Sequence, residues 1–267
     1  MNGGALGLAL GAAFLHAVWN LLLRGARDTE AATAVSVVTF VAVLAPIAAV
    51  TWDVDSQVWR FALPSALLEL TYVALLAAAY RRFELSLVYP VARGLAPVAA
   101  LVITLVVVRT HVSAAEAGGV LVVAAGVLLV RGASGRGGMA LGALNACVIG
   151  AYTVIDRYGI RHADAPSYAL FVMLAAAVAY PPFVGGRRVR AALSPRTVCV
   201  GVLSAAAYLL VLLALRHASA PAVSAVRETG VVIAVVLAAV ILHERVTRVR
   251  LFGAVLVAAG VAVLAAA

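Results

Sequence analysis

The chain is a series of long apolar runs separated by short polar breaks. Cut at its charges, prolines and glycines, it yields ten candidate spans, at 5–23, 31–51, 61–80, 85–108, 114–130, 138–158, 166–185, 198–215, 220–242 and 249–266. Each is near the roughly 20 helical residues needed to cross a hydrocarbon core of about 30 Å. The pattern predicts an all-α membrane protein of about ten transmembrane helices. The breaks are short, and the longest, around Gly186–Arg196, is read as a loop that leaves no room for a soluble domain. The opening Met1-Asn2-Gly3-Gly4 carries no basic side chain, so the first run is expected to be a retained span and not a signal peptide.

Composition agrees with this reading. Of 267 residues 65% are hydrophobic and 12% charged, against about half and a quarter in soluble domains. The net charge of +9 is spread through the breaks and forms no basic face, so no nucleic-acid partner is expected. Cys147 and Cys199 lie in apolar runs and read as fillers.

The chain also repeats itself at a constant offset of 134 residues. Arg82 matches Arg216, Arg93 matches Arg227, Gly119 matches Gly253, and Val123-Ala124-Ala125-Gly126-Val127 matches Val257-Ala258-Ala259-Gly260-Val261. Alanine and valine matches are cheap in so biased a chain, but ungapped arginine and glycine matches are not. The halves 1–133 and 134–267 would each hold five spans. An odd number sends the second half in from the opposite side, giving an inverted repeat around a central cavity, a common plan for secondary transporters.

Polar residues within the spans are the candidate chemistry, because they are costly in lipid and turn inward. Arg93 sits between Pro90 and Pro97, and its counterpart Arg227 is followed by Glu228. The arginines would bind an anionic group and Glu228 a cationic one; alternatively Arg227 pairs with Glu228. His16, Trp19 and Asn20 share a face of the first span by their i, i+3, i+4 spacing, either along the pathway or as an interhelical hydrogen bond and an interfacial tryptophan. Glu69 and Tyr72 share a face of the third span, and Glu69 is the candidate for proton coupling or a counter-ion to an arginine. Tyr89 and Tyr152 are candidate cavity aromatics, while Asp156 and Arg157 read as interfacial. The glycines of the fifth and tenth spans are expected to pack helices within the molecule, or between two copies. No metal-ligand cluster, nucleophile elbow or phosphate-binding glycine loop is present, so neither a cofactor nor enzymatic activity is expected.

Three stretches resemble the ten-span, EamA-like branch of the drug/metabolite transporter superfamily. They are Leu15-His16-Ala17-Val18-Trp19-Asn20, Ser86-Leu87-Val88-Tyr89-Pro90-Val91-Ala92-Arg93-Gly94, and Ser224-Ala225-Val226-Arg227-Glu228 running on to His243-Glu244-Arg245-Val246. The resemblance implies two inverted five-helix units and gradient-driven movement of metabolites. Arg109 departs from it, standing where the family usually has an acidic residue like Glu244. The resulting expectation is a plasma-membrane secondary transporter, an exporter of a small anionic or zwitterionic metabolite such as an amino acid, as monomer or homodimer. The alternatives are a flippase for a lipid-linked intermediate and, further off, a membrane-embedded transferase or phosphatase. Orientation stays open. With the N-terminus inside, 13 arginines fall in outer breaks and 5 in inner ones, which places both termini outside, whereas the resemblance implies both termini in the cytoplasm.

Overall fold

The computed structural model describes residues 1–80, 85–131, 136–233, 236 and 247–267, with side chains apart from 24, 76–80, 85–90, 131 and 136–138. The described residues are almost wholly helical. The helices are α1 (Gly3–Arg24), α2 (Thr29–Thr51), α3 (Trp59–Tyr80), α4 (Leu85–Ile103), α5 (Ala114–Arg131), α6 (Arg136–Gly159), α7 (Ala165–Val184), α8 (Gly186–Ala192), α9 (Pro195–His217), α10 (Ala220–Arg227) and α11 (Arg248–Ala266). Eight stretches among them are long and apolar enough to span a bilayer, and Ala114–Val130 is a shorter apolar helix. Large apolar side chains such as Val50, Leu67, Val107, Phe183 and Leu251 point outward, as lipid-facing positions should. The chain is a multi-span α-helical membrane protein.

The helix starts follow local chemistry. Asn2, Asp28, Asp164, Ser194, Ser219 and Thr247 each accept a hydrogen bond from a backbone N–H in the first turn that follows. Three features depart from the predicted spans. The fourth does not stay α-helical to residue 108: Thr104–Val108 forms a π-helical turn, closed by Arg109 in the left-handed region at φ 57°. The break around Gly186–Arg196 is not a bare loop, since α8 occupies most of it. The ninth span does not begin as one helix, because α10 stops at Arg227 and helix resumes at 229. The remainder of that span, together with His243, Glu244 and Arg245, lies outside the described residues.

Packing follows the sequence repeat. Exchanging each span for the one five along turns the α1–α9 contact into α6–α3, and α2–α9 into α7–α3, while α2–α7 and α5–α11 map onto themselves. The α5–α11 crossing displays the relation atom by atom. A Cβ on Gly126 would lie 2.7 Å from the Gly253 carbonyl oxygen, and one on Gly253 would lie 2.7 Å from that of Gly126. Gly119 and Gly260 oppose each other in the same way, at 3.1 and 2.8 Å. Each glycine therefore meets the repeat counterpart of the other, as antiparallel helices related by a two-fold axis must. The small residues pack within the molecule.

At one end of the bundle Arg188 clamps two loops. Its Nε and Nη2 donate to both oxygens of Asp28 at 2.8 and 2.9 Å, and Nη2 also reaches Glu30 at 2.9 Å. At the other end the α2–α3 and α6–α7 loops join through an antiparallel bridge between Val54 and Ala163 and an Asp55–His162 contact of 3.2 Å. Trp52 and Trp59 pack on Phe171 there, as interfacial aromatics do.

Two outcomes are expected from this packing. Gly126→Ala and Gly253→Ala should each cost about 1–3 kcal/mol as the helices are forced apart, read as a lower unfolding midpoint in detergent. Gly118→Ala, with nothing within 4 Å of its new methyl, should leave the midpoint unchanged or slightly higher, and equal losses at all three would refute the crossing. The second outcome depends on pH. The Arg188 guanidinium and the Ala31 N–H hold the Asp28 carboxyl below the usual carboxylate range. A depressed folded value stabilises the protein above the unfolded pKa of about 4 and is lost as pH falls through the folded one. Arg188→Ala should therefore lower the midpoint slightly at neutral pH, as an exposed pair does, and the gap from wild type should close in acid.

Candidate functional site

Halfway along α3, Glu69 is buried in the bundle. One turn before it, the Ser65 hydroxyl donates to Asp156 Oδ1 at 2.5 Å. One turn after it, Tyr72 meets Tyr152 edge-on, with ring centroids 6.5 Å apart. Asp156 and Tyr152 are themselves one turn apart on α6. The two antiparallel helices thus form a ladder in which Glu69 faces the gap between Asp156 and Tyr152. Electrostatic coupling to Asp156, Arg227 and Arg93 agrees with that position.

Asp156, read as interfacial near the end of its span, is buried within the protein. It is 1% exposed, and among the described residues its side-chain hydrogen bonds come from neutral hydroxyls: Ser65, Tyr168 to Oδ1 at 2.9 Å and Tyr208 to Oδ2 at 2.7 Å. Four helices converge on this one carboxyl: α3, α6, α7 and α9. Arg157, its neighbour, is half-buried.

The arginines come from α4 and α10. Arg93 is 5% exposed and its Nη2 lies 2.7 Å from Glu228 Oε1. The ion pair therefore crosses between the two halves and is not the local Arg227–Glu228 pair, since neighbouring residues on a helix point in different directions. Arg93 and Glu228, expected to meet opposite ends of a substrate, meet each other. Glu228 Oε2 is buried with no hydrogen-bond partner among the described residues. Arg227 is only half-buried and, among the described residues, makes no hydrogen bond or ion pair, although it couples electrostatically to Glu69, Tyr152 and Asp156. It stands in the last turn of α10, where the helix dipole favours a cation.

The first-span candidates lie on α1, which packs against α10. Asn20 donates to the carbonyl of His16 on its own helix at 2.8 Å. His16 stacks edge-on against Trp19 with centroids 4.7 Å apart. Three residues earlier, the Ala13 carbonyl lies against Gly230, just past the break at Glu228. The side chain of Tyr89 lies outside the described residues. A residue the sequence pattern passed over is Asn145, 1% exposed, with neither amide atom partnered among the described residues. It shares the α6 stripe of Ile149, Tyr152 and Asp156 by its i, i+4, i+7, i+11 spacing. Among the described residues no three metal-ligating side chains converge.

Comparison with known proteins adds a family and a fold. The family described as "EamA-like transporter family" matches residues 136–266. A solved chain described only as a crystal structure of a protein is similar over 98% of this chain and 96% of its own, with TM-score 0.78 and 17% identity, a likeness of fold. No curated protein matches.

The buried Arg93–Glu228 pair should behave as a unit. Arg93→Gln or Glu228→Gln alone strands a buried charge and should cost about 3–5 kcal/mol. The double substitution should cost clearly less than the sum of the two. A double-mutant cycle on unfolding in detergent measures this, and strict additivity would show the pair to be energetically idle.

Proposed function

We propose, for a chain that belongs to the EamA-like transporter family of the drug/metabolite transporter superfamily, that it is a secondary transporter exporting a small zwitterionic metabolite, such as an amino acid, across the plasma membrane. The observation that supports this reading is the buried polar cluster, in which Arg227 has no ion-pair partner among the described residues and is electrostatically coupled to Glu69. A guanidinium binds a carboxylate in a planar fork, and a carboxylate accepts from an ammonium. Arg227 and Glu69 thus match the two ends of a zwitterion. A purely anionic substrate fits less well, because three carboxyl groups already face two guanidinia.

In this reading Arg93 and Glu228 hold the halves together beside the substrate. Tyr72 and Tyr152 form an aromatic wall, with Tyr89, His16, Trp19 and Asn20 further along the pathway. The repeats 1–133 and 134–267 rock about the α5–α11 crossing to open the cluster to each side in turn.

The test is flux in liposomes. Labelled amino acids, sugars and organic acids are offered to the reconstituted wild type and to Arg227→Ala, with and without a pH gradient. Amino-acid flux that responds to the gradient and falls by about tenfold or more in the variant is expected, since a hydrogen bond to a charged group is worth about 1.5–3 kcal/mol. Flux untouched by the substitution would make Arg227 structural. No flux of any soluble compound in folded protein would overturn the reading in favour of a lipid-linked substrate.

A further inference from the structure

At one end of the bundle, Asp53, Asp55, Arg161, His162 and Arg216 line a cleft of about 390 Å³. All five stand at the ends of apolar helices: between α2 and α3, between α6 and α7, and in the last turn of α9. The cleft therefore lies level with a membrane face, where the exposed Trp52 and Trp59 also belong. Its walls are fixed largely by backbone contacts. The Asp55 N–H donates to the His162 carbonyl at 2.8 Å, and the Asp164 N–H to that of Asp53 at 2.9 Å. Arg216 Nη2 donates to the Ala163 carbonyl at 2.7 Å. His162 stacks on Phe61 with ring centroids 5.3 Å apart.

The charges along this cleft leave one another unpaired. Asp55 is taken up by Ser56, the Gln57 N–H and His162. The Asp53 carboxylate makes no hydrogen bond or ion pair among the described residues, although two guanidinia share its cleft. Arg161 makes none either, and its guanidinium lies 5.7 Å over the Tyr158 ring. One turn back on α6, Arg157 Nη1 is buried with no hydrogen-bond partner among the described residues, and the two guanidinia repel each other. Like charges at that spacing are unfavourable, and an anion beside them would relieve the repulsion. The cleft thus offers an anion site and a separate carboxylate, held apart by rigid walls.

We propose that it holds the headgroup of one membrane phospholipid bearing a primary ammonium, with the phosphate on Arg161 and Arg216 and the ammonium on Asp53. A basic pocket at the end of membrane helices suits a lipid phosphate. An ammonium donates hydrogen bonds to a carboxylate, which a trimethylammonium, having no N–H, does not. Exposed charge contacts are individually weak and would not retain a dilute soluble ligand. The bilayer presents its lipid beside the cleft at high effective concentration. Trp59, Leu63 and Leu67, exposed at i, i+4 and i+8 on α3, give the acyl chains an apolar column to lie on. The inference stands apart from the transport reading, because this lipid is held and not carried.

Native mass spectrometry of the full chain tests it, with phosphatidylethanolamine, phosphatidylcholine and phosphatidylglycerol of one chain composition offered in equal amounts. One phosphatidylethanolamine should be retained in preference to the others. Arg161→Gln should lower retention of every phospholipid by about threefold or more, as exposed charge contacts allow. Asp53→Asn should instead erase the preference for the ethanolamine headgroup over choline. Neither side chain bonds to the rest of the described protein, so both variants should keep the wild-type unfolding midpoint in detergent. Arg187→Gln, at the opposite end, should change nothing. Equal retention of the three lipids by wild type, or a preference that survives Asp53→Asn, would overturn the proposal. So would displacement of the lipid by millimolar O-phosphoethanolamine, which would assign the cleft to a soluble ligand.

Discussion

Inside a bilayer no water is available to pair a stray charge, so every ionised group must find its partner within the protein or lose its charge. The arrangement of this molecule's interior follows from that constraint. Arg93 and Glu228, on helices far apart in sequence, are brought to 2.7 Å. Their meeting fixes the end of α10 against α4, and so fixes where Arg227, the next residue back, can stand. Asp156 meets the same demand with hydroxyls from three other helices, and in doing so ties α3, α7 and α9 to α6. Apolar packing alone could not set these positions, because lipid offers leucine and valine nearly the same surroundings as a helix neighbour.

The glycine crossing contributes in another way. Where α5 and α11 touch backbone to backbone, no side chain separates the halves and no polar group needs a partner. The contact can therefore be tight without being specific in charge. Among the described residues, charged side chains meet instead at the ends, in the Arg188 clamp and the Asp55–His162 contact, and in the central cluster. The helix walls between these layers are mostly apolar.

Much of this was readable from the residues alone. Runs of about twenty apolar residues mark helices because a bilayer demands that length, and the matched arginines and glycines at one offset foretold the reciprocal packing. Glu69, Tyr72, Tyr152, Arg93, Arg227 and Glu228 stood out as polar groups in mid-span. Asp156 did not, because three residues from a helix end is normally an interfacial address, and only the hydroxyls of Ser65, Tyr168 and Tyr208 make it an interior one. A trace was there: it lies one turn from Tyr152 on the face already assigned to the interior. The partner of Glu228 was equally hidden, since adjacency in sequence pointed to Arg227 and the pairing that exists spans the two halves.

The repeat is faithful at Arg93 and Arg227 but not one residue later, where Gly94 stands opposite Glu228. A machine built from two identical halves that exchange roles would have two end states of equal energy, and would idle with either side open. Here one half carries a carboxylate that the other lacks, and that carboxylate is tied to the arginine of its opposite. In a protein that works by such an exchange, this lopsidedness acts as a spring with a preferred position, giving the cycle a resting side and leaving substrate or gradient to do the work of the return stroke.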